Sequence, residues 1–182
     1  MTRIPKIKQL QATAAGTITI DWNAVEKIIG FQLHDNIKNF YSRILGSKNK
    51  YGKISGRIKY DPVKFVKRYA NKENWLVNAN SDLNHAEFSL DLMTQTDVEY
   101  VSGYLQEAFK GEWTGGNDFG NRAYIGEILI NIGQITLVFN NDTGEYEWVD
   151  FGYGYYDIYS DNPYGIVADN TQEFLDKFIL VR

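Results

Sequence analysis

The sequence predicts an α+β fold: a single domain in which an antiparallel β-sheet packs against several α-helices. Three observations carry this. Apolar residues recur at helical spacing near the start, middle and end of the chain, at Ile37, Phe40, Tyr41, Ile44 and Leu45, at Val98, Val101, Leu105 and Phe109, and at Phe174, Leu175, Phe178 and Ile179. Between them, AEFSLDLM alternates apolar Phe88, Leu90 and Leu92 with polar Glu87, Ser89 and Asp91, the period of a half-buried strand. Beyond that, YIGEILINI, ITLVF and EYEWVD follow one another at hairpin distances. With 182 residues, 43% of them hydrophobic, the chain suits one domain over 1–182 whose core needs no metal or disulfide staple. Residues 1–14 are expected to form a loosely ordered N-terminal segment.

In chain order, GTITI suggests a short strand. Asp21 is placed to cap a helix through WNAVEKII, and Gly30 to stop it. HDNIKNFYSRILG follows as a second helix with one buried stripe, His34 at its start and Gly46 as its stop. SKNKYGKISGRIKY is basic and glycine-punctuated, a loop leading into a short strand or hairpin. Asp61-Pro62 opens a helix to about Asn71, with Pro in the first turn. Thr96 and Glu99 have the spacing of a capping box ahead of the helix that ends at Gly111. EWTGGNDFGNRA reads as a loop. YIGEILINI and ITLVF form a hairpin across Gly133-Gln134, and NNDTG turns ITLVF into EYEWVD, which makes a three-stranded meander. Asn170 or Thr171 caps a closing helix, TQEFLDKFIL.

Charge is unevenly spread. Residues 1–75 carry 15 Lys/Arg against 5 Asp/Glu, and residues 76–182 carry 4 against 18, for a net −4. A polar partner surface and two mutually attracting halves of one fold both fit this pattern. The absence of cysteine excludes disulfides, a thiolate nucleophile and thiolate-bound zinc, and permits a reducing compartment. No apolar window approaches the ~20 residues of a membrane span, so the expected location is cytoplasmic.

Each fragment that resembles a chemical motif lacks part of its set. Asp-Phe-Gly occurs at Asp118 and at Asp150, but no glycine-rich phosphate loop or His-Arg-Asp loop accompanies it. Gly152-Tyr153-Gly154 lacks the remaining glycine of a dinucleotide fingerprint. His34 and His85 are the only imidazoles; scattered histidines are ordinarily packing or surface residues, and His34 fits a helix start. His85 has Asp82 and Glu87 nearby, with Ser81 or Ser89 as imaginable nucleophiles, but no strained turn or oxyanion loop brackets either serine. NNDTG resembles part of a calcium loop without its twelfth-position Glu, so a hairpin turn explains it with less. The expectation is a protein without catalytic residues, cofactor or metal.

The segment DFGYGYYDIYSD, from Asp150 to Asp161, joins five aromatic rings to three carboxylates with no cation. Sheet core and edge is the bland reading, since tyrosines of a half-buried sheet pack their rings and wet their hydroxyls. A partner surface is the sharper one: tyrosine is enriched in interfaces, and carboxylates select a basic partner over phosphate. The candidate protein-binding residues are Asp150, Tyr153, Tyr156, Asp157, Tyr159 and Asp161, reinforced by Glu145 and Glu147 on the preceding strand.

Three segments resemble the SUKH superfamily, the Smi/Knr-type proteins that also include the translocon-associated protein Syd. VEKIIGFQLHDNIKNFYSRILG (Val25 to Gly46) is similar to the family's opening helix, glycine-containing break and second helix. GEILINIGQITLVFNNDTGEYEWVD (Gly126 to Asp150) is similar to its central strands, and GIVADNTQEFLDKF (Gly165 to Phe178) to its closing strand and helix. Two features depart from the pattern: Leu33-His34 stands where many relatives have Leu-Pro, and the stretch 61–109 is longer than in compact members, closer to Syd-like ones. The resemblance implies an α+β fold with no shared catalytic residues. For most bacterial members it implies an immunity protein that neutralises a cognate toxin, here a basic one and often a nuclease in such systems. The alternative it leaves open is a Syd-like regulator at the cytosolic face of the protein-translocation channel.

Overall fold

The computed structural model describes residues 19–44, 52–58, 86–116, 118–130, 133–149 and 164–180. The expected helix over 61–71 lies outside them, as do His85, Gly46 and the first three residues of GTITI, whose last two form no strand.

The described residues open with two short helices, α1 (Trp22–Ile29) and α2 (Asp35–Arg43). Asp21 caps α1 by accepting the Ala24 N–H at 3.1 Å, and Gly30 ends it at φ 85°, a left-handed position that costs a side-chain-bearing residue about 1 kcal/mol. His34 is the cap of α2: its Nδ1 accepts the Asn36 N–H at 3.1 Å, so the imidazole is spent on the helix start. α2 stops at Arg43, with Ile44 already extended yet still buried, so the apolar stripe outlasts the helix.

Two strands follow, β1 (Lys53–Ile58) and β2 (Ala86–Asp91), and then the longest helix among the described residues, α3 (Val98–Lys110). The cap of α3 is Asp97, whose carboxylate accepts the Tyr100 N–H at 2.9 Å, in place of the expected Thr96. Asp has the advantage of a full negative charge at the positive end of the helix. A single 3₁₀ turn at Glu112–Thr114 leads into β3 (Arg122–Ile130), β4 (Gly133–Asn140) and β5 (Tyr146–Val149), the predicted meander. Gly133 and Gln134 lie inside β4, paired with Ile130 and Leu129, so the connection is 131–132 and not the expected Gly-Gln pair. The register that sets Ile128 opposite Ile135 fixes this.

The chain closes with β6 (Tyr164–Ala168), α4 (Thr171–Lys177) and β7 (Phe178–Leu180). Asn170 caps α4 through the Glu173 N–H at 2.9 Å. Phe178 and Ile179 were expected on the helix. They are strand residues instead, pairing with Ile58 and Arg57 of β1, because an extended aromatic and β-branched stretch completes the free side of that strand. Among the described residues all pairings are antiparallel and give one seven-stranded sheet in the order β6-β5-β4-β3-β2-β1-β7.

One face of the sheet carries the main core. Val25 and Ile29 of α1, Ile37, Phe40 and Tyr41 of α2, Val101, Leu105 and Phe109 of α3, and Phe174 and Leu175 of α4 pack together with Leu90, Ile125, Leu137, Phe139, Tyr146 and Trp148 of the strands. The centre is aromatic: Phe40 meets Phe174 edge-on at 5.8 Å, and Phe174 stacks on Tyr146 at 4.3 Å. Each such side chain removed from water contributes about 2 kcal/mol or more. On the opposite face Phe119, Val138 and Val149 form a second small cluster, with Trp113 stacked on Phe119 at 5.6 Å. That second cluster decides the fate of the acidic residues on β5.

Candidate functional site

Of the acidic and aromatic residues expected to form a binding patch, Asp150, Tyr153, Tyr156, Asp157, Tyr159 and Asp161 lie outside the described residues. Glu145 is half-buried beside the β4–β5 turn. Glu147 is fully buried, at 0% exposure, and is not part of any exposed patch. Alternation along β5 puts Tyr146 and Trp148 in the main core and turns Glu147 to the other face, opposite Val138. That face is itself covered there by the Phe119 and Trp113 cluster. A carboxylate buried so completely requires partners, and it has them: Arg122 Nε donates to it at 2.6 Å and Asn140 Nδ2 at 3.1 Å. Arg122 Nη1 also donates to the Phe119 carbonyl at 2.8 Å, which ties the Phe119 loop to the sheet.

The turn from Asn140 to Glu145 is built by its own side chains. The Asn140 Oδ1 accepts the Asp142 and Thr143 N–H groups at 3.0 and 3.3 Å, and the Gly144 N–H closes on the Asn140 carbonyl at 2.8 Å. Gly144 has φ 75°, and a Cβ there would overlap the His34 ring, so glycine is needed both for the turn and for the approach of α2. The calcium-like letters NNDTG are thus a hairpin turn. Asn141 is the first residue of a formal glycosylation sequon, yet its side chain is committed: Oδ1 accepts the His34 N–H at 2.8 Å and Nδ2 donates to the Gln32 carbonyl at 2.9 Å.

This turn brings carboxylates together that sequence reading left apart. Asn36 Nδ2 donates to the Gly144 carbonyl at 2.8 Å and reaches the Asp169 carbonyl at 3.4 Å, so the start of α2, the turn and the β6–α4 junction meet at one end of the sheet. Asp35, Asp142 and Asp169 are exposed there, and Glu145 and Glu173 half-exposed. Lys38 lies 3.9 Å from Asp35, and Asn121 Nδ2 donates to Asp142 at 2.9 Å. The result is an acidic end of the molecule centred on Asn36. Neither Asn36 nor Asn141 was legible as important, because their partners lie 107 to 133 residues away.

Burial pushes the Tyr41 hydroxyl well above its ordinary range, with Tyr104 adding to the effect, and Tyr104, Tyr124 and Tyr146 are likewise raised by burial. None is thereby poised for proton transfer near neutral pH. Partial burial of Glu26 favours its neutral form, but Lys38 at 2.6 Å and the Leu33 N–H at 2.8 Å outweigh this and lower its pKa. Asp118 of the first Asp-Phe-Gly accepts the Gly120 N–H at 2.8 Å, an ordinary side-chain turn. Among the described residues no group of three His, Asp or Glu is arranged to hold a metal ion, and no helix is long and apolar enough to cross a membrane. No protein-family model, curated protein or solved structure matches the chain.

Proposed function

We propose that this chain is a non-enzymatic bacterial immunity protein of the SUKH type, which binds a basic toxin through an acidic surface and blocks its working groove. The observation that carries the reading is the order of elements within the three resembling segments. Val25 to Gly46 contains helix, glycine break and helix; Gly126 to Asp150 holds the meander; Gly165 to Phe178 contains a strand followed by a helix. The acidic end adds charge of the sign a basic partner needs. Asp150 to Asp161 and Glu145 remain in the proposed surface, whereas Glu147 is withdrawn from it. Peripheral carboxylates of this kind mainly speed association and make it salt-sensitive.

The test is capture of a partner from the native strain by the tagged full chain, followed by identification and an assay of the partner's toxicity. Recovery of a toxin that the chain neutralises in stoichiometric amounts supports the reading. Salt-sensitive recovery with inner membranes and the translocation channel replaces it with the Syd-like alternative, to which the length of the stretch 61–109 points. Turnover of a small molecule by the purified chain refutes both.

A further inference from the structure

The acidic end is held by a lock made almost entirely of side-chain hydrogen bonds. Three segments far apart in sequence meet there, against Tyr146 at the start of β5: Gln32 to Asn36, Asn141 to Glu145, and Asp169 to Thr171. Asn141 fastens the first to the second through the His34 N–H and the Gln32 carbonyl. Asn36 fastens the first to both others through the Gly144 and Asp169 carbonyls. The Asn36 carbonyl in turn accepts the Thr171 hydroxyl at 2.7 Å and is reached by the Tyr146 hydroxyl at 3.4 Å, while those two hydroxyls lie 3.0 Å apart. Thr171, Tyr146 and Asn141 are all buried, and the contact between the Thr171 and Tyr146 hydroxyls is sealed from water, while the side-chain bonds of Asn36 lie nearer the surface.

Bonds that join three segments around a buried centre reinforce one another, so the loss of one weakens the rest. We infer that the three segments open and close as one cooperative unit, distinct from the sheet, with Asn36 as the residue that links them. The alternative is that each segment frays independently, as exposed turns commonly do. No partner is involved in this unit, which is independent of the proposed function. Its consequence for any ligand at this end is that the turn and the β6–α4 junction are presented in one arrangement or released together.

Native-state hydrogen exchange of the full chain decides it. The reporters are the Gly144 N–H, bonded to Asn140, the Glu173 N–H, bonded to Asn170, and the His34 N–H, bonded to Asn141; the Leu137 and Trp148 amides serve as references in the sheet. Asn36→Ala removes only side-chain bonds to the second and third segments. It is expected to speed exchange at Gly144 and Glu173 together by about tenfold, the cost of roughly one or two hydrogen bonds, and to leave the reference amides unchanged. Thr171→Val approaches from the third segment and is expected to speed exchange at Gly144 and His34, which it does not touch. Acceleration confined in each variant to the substituted segment overturns the inference, and so does acceleration of the reference amides to the same degree.

Discussion

Two carboxylates in this molecule have nearly the same first neighbours and opposite surroundings. Glu147 takes a 2.6 Å bond from Arg122 and a second from the Asn140 side chain, at 0% exposure between β4 and the Phe119 cluster. Glu26 takes a 2.6 Å bond from Lys38 and a second from the Leu33 N–H, with its side chain 14% exposed between α1 and α2. Contact geometry alone would rank them equal. They differ in their contact with water: it already reaches the Glu26 side chain, whereas the Glu147 side chain touches none. A buried pair is worth little over an apolar one of the same shape, but half of one is costly.

The largest expected effect follows directly. Arg122→Met leaves a carboxylate buried beside Val138 and Val149 and is expected to cost about 3–5 kcal/mol in urea unfolding. Adding Glu147→Leu is expected to recover most of that loss, short of the contribution of the Asn140 amide left behind. If the double variant is no more stable than Arg122→Met, burial of the charge is not what makes this knot costly to break. At the other knot, Lys38→Met is expected to cost about 1 kcal/mol, because Glu26 keeps the Leu33 N–H and gains water.

The difference between the knots also explains what could be foreseen. The caps at Asp21 and Gly30, the stripe of α2 and the meander were all legible, since each rests on residues a few positions apart. Glu147 was read as exposed because alternation along EYEWVD gives it the face opposite Tyr146 and Trp148, and an opposite face is ordinarily wet. What sequence could not reveal is that Phe119 and Trp113 cover that face and that Arg122, 25 positions earlier, waits there. The misplacement of Phe178 and Ile179 has the same origin: their helical spacing is real, but the unpaired side of β1 offers ladder bonds that local propensity does not register. Non-local partners were the missing information in both cases.

Acid separates the knots by another route. Lys38 and the Leu33 N–H hold the Glu26 pKa below its ordinary 4.5, so the stability this group contributes is complete above about pH 4.5 and is lost as pH falls through the lower folded value. The comparison variant is Glu26→Gln, which keeps size and removes the charge. Wild type is expected to exceed it in melting temperature at pH 6, and the gap to shrink steadily as pH falls below 4.5. A gap that stays constant over that range would mean the carboxylate's charge contributes nothing, since the glutamine oxygen can still accept the Leu33 N–H.

The smallest effect belongs to a third carboxylate, which shares Lys38 with Glu26. Asp35 lies 3.9 Å from the Lys38 amine, at the edge of an ion pair, with its side chain 98% exposed. Water solvates it in the folded chain almost as well as in the unfolded one, and salt screens what attraction remains. Asp35 does occupy the first turn of α2, where a negative charge favours the helix, so its removal is not wholly neutral. Asp35→Asn is therefore expected to lower the melting temperature slightly in dilute buffer and not at all in 1 M salt, where the Debye length is only about 3 Å. Lys38→Met should keep most of its cost in the same salt, because the Glu26 contact is shielded on several sides. A loss for Asp35→Asn that equals that of Lys38→Met and survives salt would show that exposure does not grade these carboxylates.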